Sequence, residues 1–197
     1  EGNEAMAKLP SFLEGRGWVE ERTMLEVRKD LFWGRALNEV VISREGPARI
    51  VHCTIRVDGE VVTSYRGDGA LVATATGSTG YSLSTGGPIL EPESRALLVK
   101  PISPHLALNT TLILERDCEI DIHVRTDHGA ALSLDGQEDE PVADGAVVTI
   151  RRSPYRARFL RLRSRDYFHG LAAGLLSRAN PSLSQPVPTQ PLSPESN

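Results

Sequence analysis

Three short stretches of this chain gather side chains suited to holding a polar ligand. Asn38-Glu39 sets an amide, which both donates and accepts, beside a carboxylate that only accepts, at the head of the apolar run Val40-Val41-Ile42. Residues 67–88 read Gly-Asp-Gly-Ala-Leu-Val-Ala-Thr-Ala-Thr-Gly-Ser-Thr-Gly-Tyr-Ser-Leu-Ser-Thr-Gly-Gly-Pro. Glycines and hydroxyls fill its second half. A stretch of that kind, following a strand and opening a short helix, turns backbone amides toward a ligand. The third is Pro101-Ile102-Ser103-Pro104-His105, joined further on by Asp135-Gly136-Gln137. Each has a plainer reading as well. Asn38-Glu39 also fits a turn residue and a solvated strand start, Asp68 a simple Asp-Gly turn, and Tyr81 a ring packed in the core.

Other chemistries are missing their residues. No GxxxxGK[ST] phosphate loop occurs, and the lysines Lys8, Lys29 and Lys100 follow no glycine loop. No GxGxxG opens a helix, and Gly80-Tyr81-Ser82-Leu83-Ser84 has serine where a nucleophile elbow needs its last glycine. Asp121, His123, Asp127 and His128 cluster in sequence, but His123 alternates with Ile122 and Val124, and Asp127-His128-Gly129 is turn chemistry; no metal site is expected. Cys53 and Cys118 form no CxxC pair and are read as inert thiols.

The elements that position these stretches are mostly strands. Over 197 residues, 40% hydrophobic and 24% charged, there is material for one domain with a real core. Val51, Cys53, Ile55 and Val57 alternate with polar neighbours, and Asp58-Gly59 supplies a hairpin turn into a partner strand over 60–65. Strands are also expected over 18–27, 39–43, 70–76, 110–114, 118–124, 130–134, 146–150 and 159–162, which predicts a mainly β, sandwich-like body. A helix over 1–17 is expected to begin at Pro10, a helix at 30–37 is unconvincing, and 166–176 reads as a closing helix. From Pro181 onward the chain is rich in Pro, Ser and Gln, and 179–197 is expected to be disordered.

A net charge of −4 argues against general nucleic-acid binding. Arg151, Arg152, Arg156, Arg158, Arg161, Arg163 and Arg165 nevertheless crowd one segment, read as a solvated face, a surface toward an acidic partner, or a phosphate-facing patch. No apolar run reaches the ~20 residues of a membrane span. With no signal-like N-terminus, a reduced cytoplasmic location is the expectation.

Taken together and in this order, the three stretches resemble the C-terminal domain of NAD kinases, over roughly residues 18–170. The resemblance implies a β-sandwich-like NAD-binding domain with a closing helix to about 178, preceded by a remnant helix, 1–17, of an N-terminal α/β domain. It implies an enzyme that phosphorylates the adenosine 2′-hydroxyl of NAD to give NADP, using ATP or polyphosphate with Mg²⁺, and working as a homodimer or homotetramer. Asn38 and Glu39 match the pair that meets the adenosine ribose, whose vicinal hydroxyls need both a donor and an acceptor. Thr79, Gly80, Tyr81 and Ser84 match positions around the adenine, and Asp68 matches an aspartate that reaches the nicotinamide end, often of an NAD held mainly by a neighbouring subunit. His105 and Gln137 lie in family motifs and are read as bracing loops.

The chain also departs from that pattern. The family's Gly-Gly-Asp-Gly-Thr motif, whose Asp acts as the base and whose glycines hold the donor phosphates, does not occur. The expectation is a fragment of an NAD kinase, with no catalytic residue of its own and no activity alone. A catalytically silent NAD(P)-binding regulatory module and a lipid-kinase-like relative are the alternatives. Ala75 stands where the family usually has Pro, Gly80 where it has Ala, and Thr110 where many bacterial members have Arg.

Overall fold

A computed structural model describes residues 2–46, 49–105, 109–137 and 139–162. The chain divides into two units, 1–161 and 162–197. Only Leu162 of the second is described, so the expected closing helix, Arg163, Arg165, His169 and the tail over 179–197 lie outside the described residues.

Helix α1 spans Gly2–Leu13. It runs through Pro10 instead of starting there. A proline removes one hydrogen bond from the helix interior, and this one leaves the turn beyond it intact, with the Glu14 N–H donating to the Pro10 carbonyl at 3.0 Å. Gly15, at φ 73°, ends the helix in the left-handed conformation that glycine adopts most easily.

The remaining described elements are mostly strands: β1 (Trp18–Lys29), β2 (Phe32–Ala36), β3 (Glu39–Arg44), β4 (Val51–Val57), β5 (Glu60–Gly67), β6 (Gly69–Ala73), β7 (Leu97–Ile102), β8 (Leu112–Leu114), β9 (Glu119–Arg125), β10 (Ala130–Leu134), β11 (Asp139–Val142) and β12 (Val147–Arg161). A 3-10 turn (Gly77–Thr79) and a one-turn helix α2 (Tyr81–Ser84) follow β6. Two six-stranded antiparallel sheets result, ordered β2-β1-β12-β9-β4-β5 and β11-β10-β3-β6-β7-β8. Both contribute to one apolar core, with Leu25, Ile55, Ile122 and Ile150 from the first and Ile42, Val72, Val99 and Leu132 from the second, all fully buried. The mainly β, sandwich-like architecture is the one the alternation predicts.

Several strands differ from expectation for local reasons. Residues 30–37 form no helix. Asp30, at φ 52°, turns the chain, and β2 pairs with β1. The segments 146–150 and 159–162 are parts of one strand. Pro154 has no ladder N–H to offer, but the register shifts between Thr23 and Leu25 of β1, and β12 continues past it. Strand β7 was not expected, because all six of its residues are buried, so no two-residue alternation marks it.

Among the described residues, the arginines of β12 find acidic partners inside the chain. Arg151 donates to Glu26 at 2.5 Å, Arg156 to Glu21 at 3.2 Å and Arg161 to Glu20 at 2.7 Å. These acids lie on β1, the antiparallel neighbour of β12. Arg152 instead meets Asp117 and the Glu115 carbonyl. Cross-strand pairs of this kind hold a two-strand ladder together. Cys53 is buried in the core, where desolvation pushes its thiol up to about 12.

Candidate functional site

The segment between β2 and β3 carries Leu37, Asn38 and Glu39, and it is held from two sides. On one side stands Asp135, in the turn after β10. Its Oδ2 accepts the Leu37 N–H at 2.7 Å, and its Oδ1 accepts the N–H groups of Asn38 at 2.7 Å and Glu39 at 3.0 Å. The Asp135 N–H donates back to the Glu39 carbonyl at 2.9 Å. Asp135 and Gly136 reach this position through a tight turn with φ 53° and 67°, which aspartate and glycine tolerate.

On the other side stands the chain leaving β6. The Thr74 hydroxyl donates to the Leu37 carbonyl at 2.6 Å, and the Thr74 N–H to the Asn38 carbonyl at 2.9 Å. The Thr74 hydroxyl oxygen in turn accepts the Gly77 N–H at 3.2 Å. Gly77 lies so close that an added β-carbon would stand 2.2 Å from the Asn38 carbonyl oxygen. The backbone polar groups of residues 37–39 named here are therefore satisfied internally. Asn38 and Glu39 are both half-buried.

Beyond Gly77, the 3-10 turn leads to Gly80 and α2. The Glu39 carboxylate lies beside Gly80, with Oε2 3.4 Å from where a β-carbon would be. That oxygen is buried and has no hydrogen-bond partner. Burial, and secondarily the charge of Asp135, hold the Glu39 carboxyl above the usual carboxylate range. The Thr79 hydroxyl donates to the Thr76 carbonyl and the Ser84 hydroxyl to the Gly80 carbonyl, each at 3.3 Å. Thr79 is half-buried and Ser84 exposed, and both spend their hydroxyl protons within the helical turns.

Tyr81 is exposed, so the alternative that it packs in the core does not hold. It lines an open cleft of about 310 Å³ with Ser43, Arg44, Gly46, Asp68 and Ile102. Asp68 connects β5 to β6. Its carboxylate accepts from Arg44 Nε at 2.5 Å, and that hydrogen bond is the main reason its carboxyl is held below the usual range. The site residues thus form two adjoining groups: Asn38, Glu39 and Gly80 in the first, Asp68 and Tyr81 in the second, with Thr79 and Ser84 on the short helical turns beside Gly80. His105 donates its backbone N–H to the Arg66 carbonyl at 2.7 Å, and Gln137 its own to the Leu134 carbonyl at 3.0 Å.

Sequence reading missed Thr74, Arg44, Arg22 and the part taken by Asp135. Arg22 on β1 donates to the Thr76 hydroxyl at 3.2 Å, tying the first sheet to the glycine-rich turn. An Asp-Gly pair signals a hairpin, but nothing local says that its carboxylate serves a segment almost a hundred residues earlier.

Two stacked antiparallel sheets, with an Asn-Glu segment clamped against a Thr-Gly-Ser-Thr turn, define a class that comparison with known proteins identifies. Residues 37–162 match the family described as ATP-NAD kinase C-terminal domain, and the chain belongs to the NAD kinase family. It is 38% identical over 172 residues to an NAD kinase of Dehalococcoides mccartyi, covering 84% of this chain and 61% of that protein. It is 44% identical over 168 residues to an NAD kinase of Symbiobacterium thermophilum, covering 82% of this chain and 59% of the relative. The chain thus spans about three-fifths of the length of these curated relatives. Among solved structures, yeast NADH kinase complexed with NADH superposes with a TM-score of 0.77 at 28% identity, over 86% of this chain and 52% of that one. An NAD kinase from Archaeoglobus fulgidus in complex with ATP gives 0.70 at 29%, over 82% and 63%.

Proposed function

We propose that residues 37–162 are the NAD-binding part of an NAD kinase, the enzyme that transfers a phosphoryl group to the adenosine 2′-hydroxyl of NAD and yields NADP. The observation that carries this reading is the unpaired, buried Oε2 of Glu39 beside Gly80, at the junction of three motifs distant in sequence. A ribose would set one hydroxyl against the half-buried Glu39 carboxylate, whose side chain has spare acceptor capacity, and its neighbour against the Asn38 amide. Thr79 and Ser84 present acceptors suited to the exocyclic amine of adenine, and the exposed ring of Tyr81 offers a stacking face. Asp68, held ionised by Arg44, accepts from the carboxamide of the nicotinamide end. The relatives solved with NADH and with ATP support this assignment of substrate class.

Phosphoryl transfer needs a phosphate cradle and a residue to handle the proton of the nucleophile. The 197 residues contain no Gly-Gly-Asp-Gly-Thr segment, and we assign this chain no catalytic residue. ATP or polyphosphate serves as donor, and Mg²⁺ travels with the donor phosphates as their counter-ion. Among the described residues no three His, Cys, Asp or Glu side chains converge on one point.

Titration calorimetry with NAD and NADP tests the binding site. Incubation with NAD, ATP and Mg²⁺, read for NADP, tests the division of labour. Binding without turnover is expected. Absence of binding to either dinucleotide would overturn the site, and NADP formation would overturn the assignment of catalysis to a segment outside these residues. Light scattering of the same sample should show a homodimer or homotetramer.

A further inference from the structure

We propose that Asp135 is a positioning residue: its carboxylate holds the backbone of residues 37–39 in the shape that presents Asn38 and Glu39 to the nucleotide. The inference rests on the NAD-binding reading above and adds a function for a residue that touches no ligand in it.

The geometry is unusual for a turn aspartate. In an Asp-Gly turn the side chain commonly bonds to backbone within its own turn. Here both oxygens reach another segment and collect three successive N–H groups at 2.7, 2.7 and 3.0 Å. Consecutive amides converging on one anion make a nest, and hydrogen bonds to an ionised acceptor are the strong kind. The return bond from the Asp135 N–H to the Glu39 carbonyl fixes the segment's direction as well as its position. Thr74 secures the carbonyls of Leu37 and Asn38 from the opposite side.

A segment pinned on both sides has its backbone shape set before any ligand arrives, and preorganisation of this kind lowers the ordering cost of binding. The placement also has an electrostatic cost. It sets a second carboxylate near Glu39, whose charge is then harder to keep.

The test compares the unaltered 197-residue chain with Asp135→Asn. Asparagine keeps the shape but presents an NH₂ group toward amide donors. Two readouts are taken: hydrogen exchange of individual amides by NMR, and the dissociation constant for NAD by calorimetry. The expected result is exchange at Leu37, Asn38 and Glu39 faster by about tenfold or more, with the β10 amides unchanged, and NAD binding weaker by about tenfold or more. Unchanged exchange at 37–39, or unchanged NAD affinity, overturns the proposal. A purely structural role would lower the melting temperature and leave the affinity of the folded protein as it was. If the unaltered chain fails to bind NAD, the nucleotide reading fails and this inference with it. If the unaltered chain binds and Asp135→Asn binds equally, Asp135 alone is misassigned. Should Asp135→Asn not fold, Asp135→Glu keeps the charge and moves it by one methylene; weaker NAD binding supports the proposal, and equal binding overturns it.

Discussion

Gly77 packs directly on Asn38: a β-carbon at Gly77 would stand 2.2 Å from the Asn38 carbonyl oxygen and 3.0 Å from its Cα. Both neighbours are backbone, so neither can swing aside. The Asn-Glu segment and the glycine-rich turn therefore act as one unit, and a change at either is felt at both.

Gly77→Ala should force the two segments apart. We expect a loss of about 2 kcal/mol of stability, in the range of overpacked cores, together with loss of NAD binding. Gly80→Ala places its methyl 3.4 Å from Glu39 Oε2, an ordinary contact, and should cost less. Urea denaturation and NAD titration of both variants check this. Equal losses at the two positions would contradict it.

Glu39→Gln should raise stability and lower affinity together. Burial and Asp135 push the Glu39 carboxyl upward, so the folded chain holds that proton more tightly than the unfolded chain. The stabilisation is complete below the unfolded value of 4.5 and declines as pH rises through the folded value. Glutamine has no charge to bury. The variant should resist denaturant better than the parent at pH 7, with the gap closing toward pH 4, and bind NAD about tenfold more weakly. Denaturation curves across that pH range, with calorimetry at neutral pH, decide the matter.

Asp68→Asn should do the reverse in pH. The hydrogen bond from Arg44 holds the Asp68 carboxyl low, so its contribution is present above the ordinary value of 3.8 and disappears as pH falls through the folded value. The pair is partly exposed, and the expected loss at neutral pH is about 0.5 kcal/mol. Melting temperatures of the parent and Asp68→Asn should converge in acid. NAD affinity at neutral pH should drop more than that small stability change explains.

Glu26→Ala addresses the ladder between β1 and β12. Glu26 is 4% exposed and accepts from Arg151, whose hydrogen bond is the main cause of its lowered carboxyl. Removal leaves Arg151 without this acceptor, but that guanidinium reaches solvent, so the cost is below that of a fully buried pair, about 2 kcal/mol. Equilibrium unfolding reads it. NAD affinity should fall less than stability does, because the Glu26 carboxylate bonds to Arg28, Arg151 and Trp33 and not to residues 37–39 or 77–84.

What a reader of the sequence alone could see followed from local rules. The alternation in β4 and β9, the Asp58-Gly59 hairpin and the glycine-hydroxyl stretch after β6 each announce themselves within a few residues. Strand β7 escapes because both its faces are buried, and β12 looks like two strands because Pro154 interrupts the pattern while a bulge in register keeps the pairing.

The amino-acid sequence by itself determined the β-rich class, the order of the motifs and the family they belong to, because residue types and short spacings carry that information. Only the tertiary structure decided that Asp135 serves Asn38 and Glu39, that Arg151, Arg156 and Arg161 meet acids of β1, and that Glu39 keeps an unpaired oxygen beside Gly80. Those relations join residues far apart along the chain. They depend on strand register and sheet stacking, which no local pattern encodes.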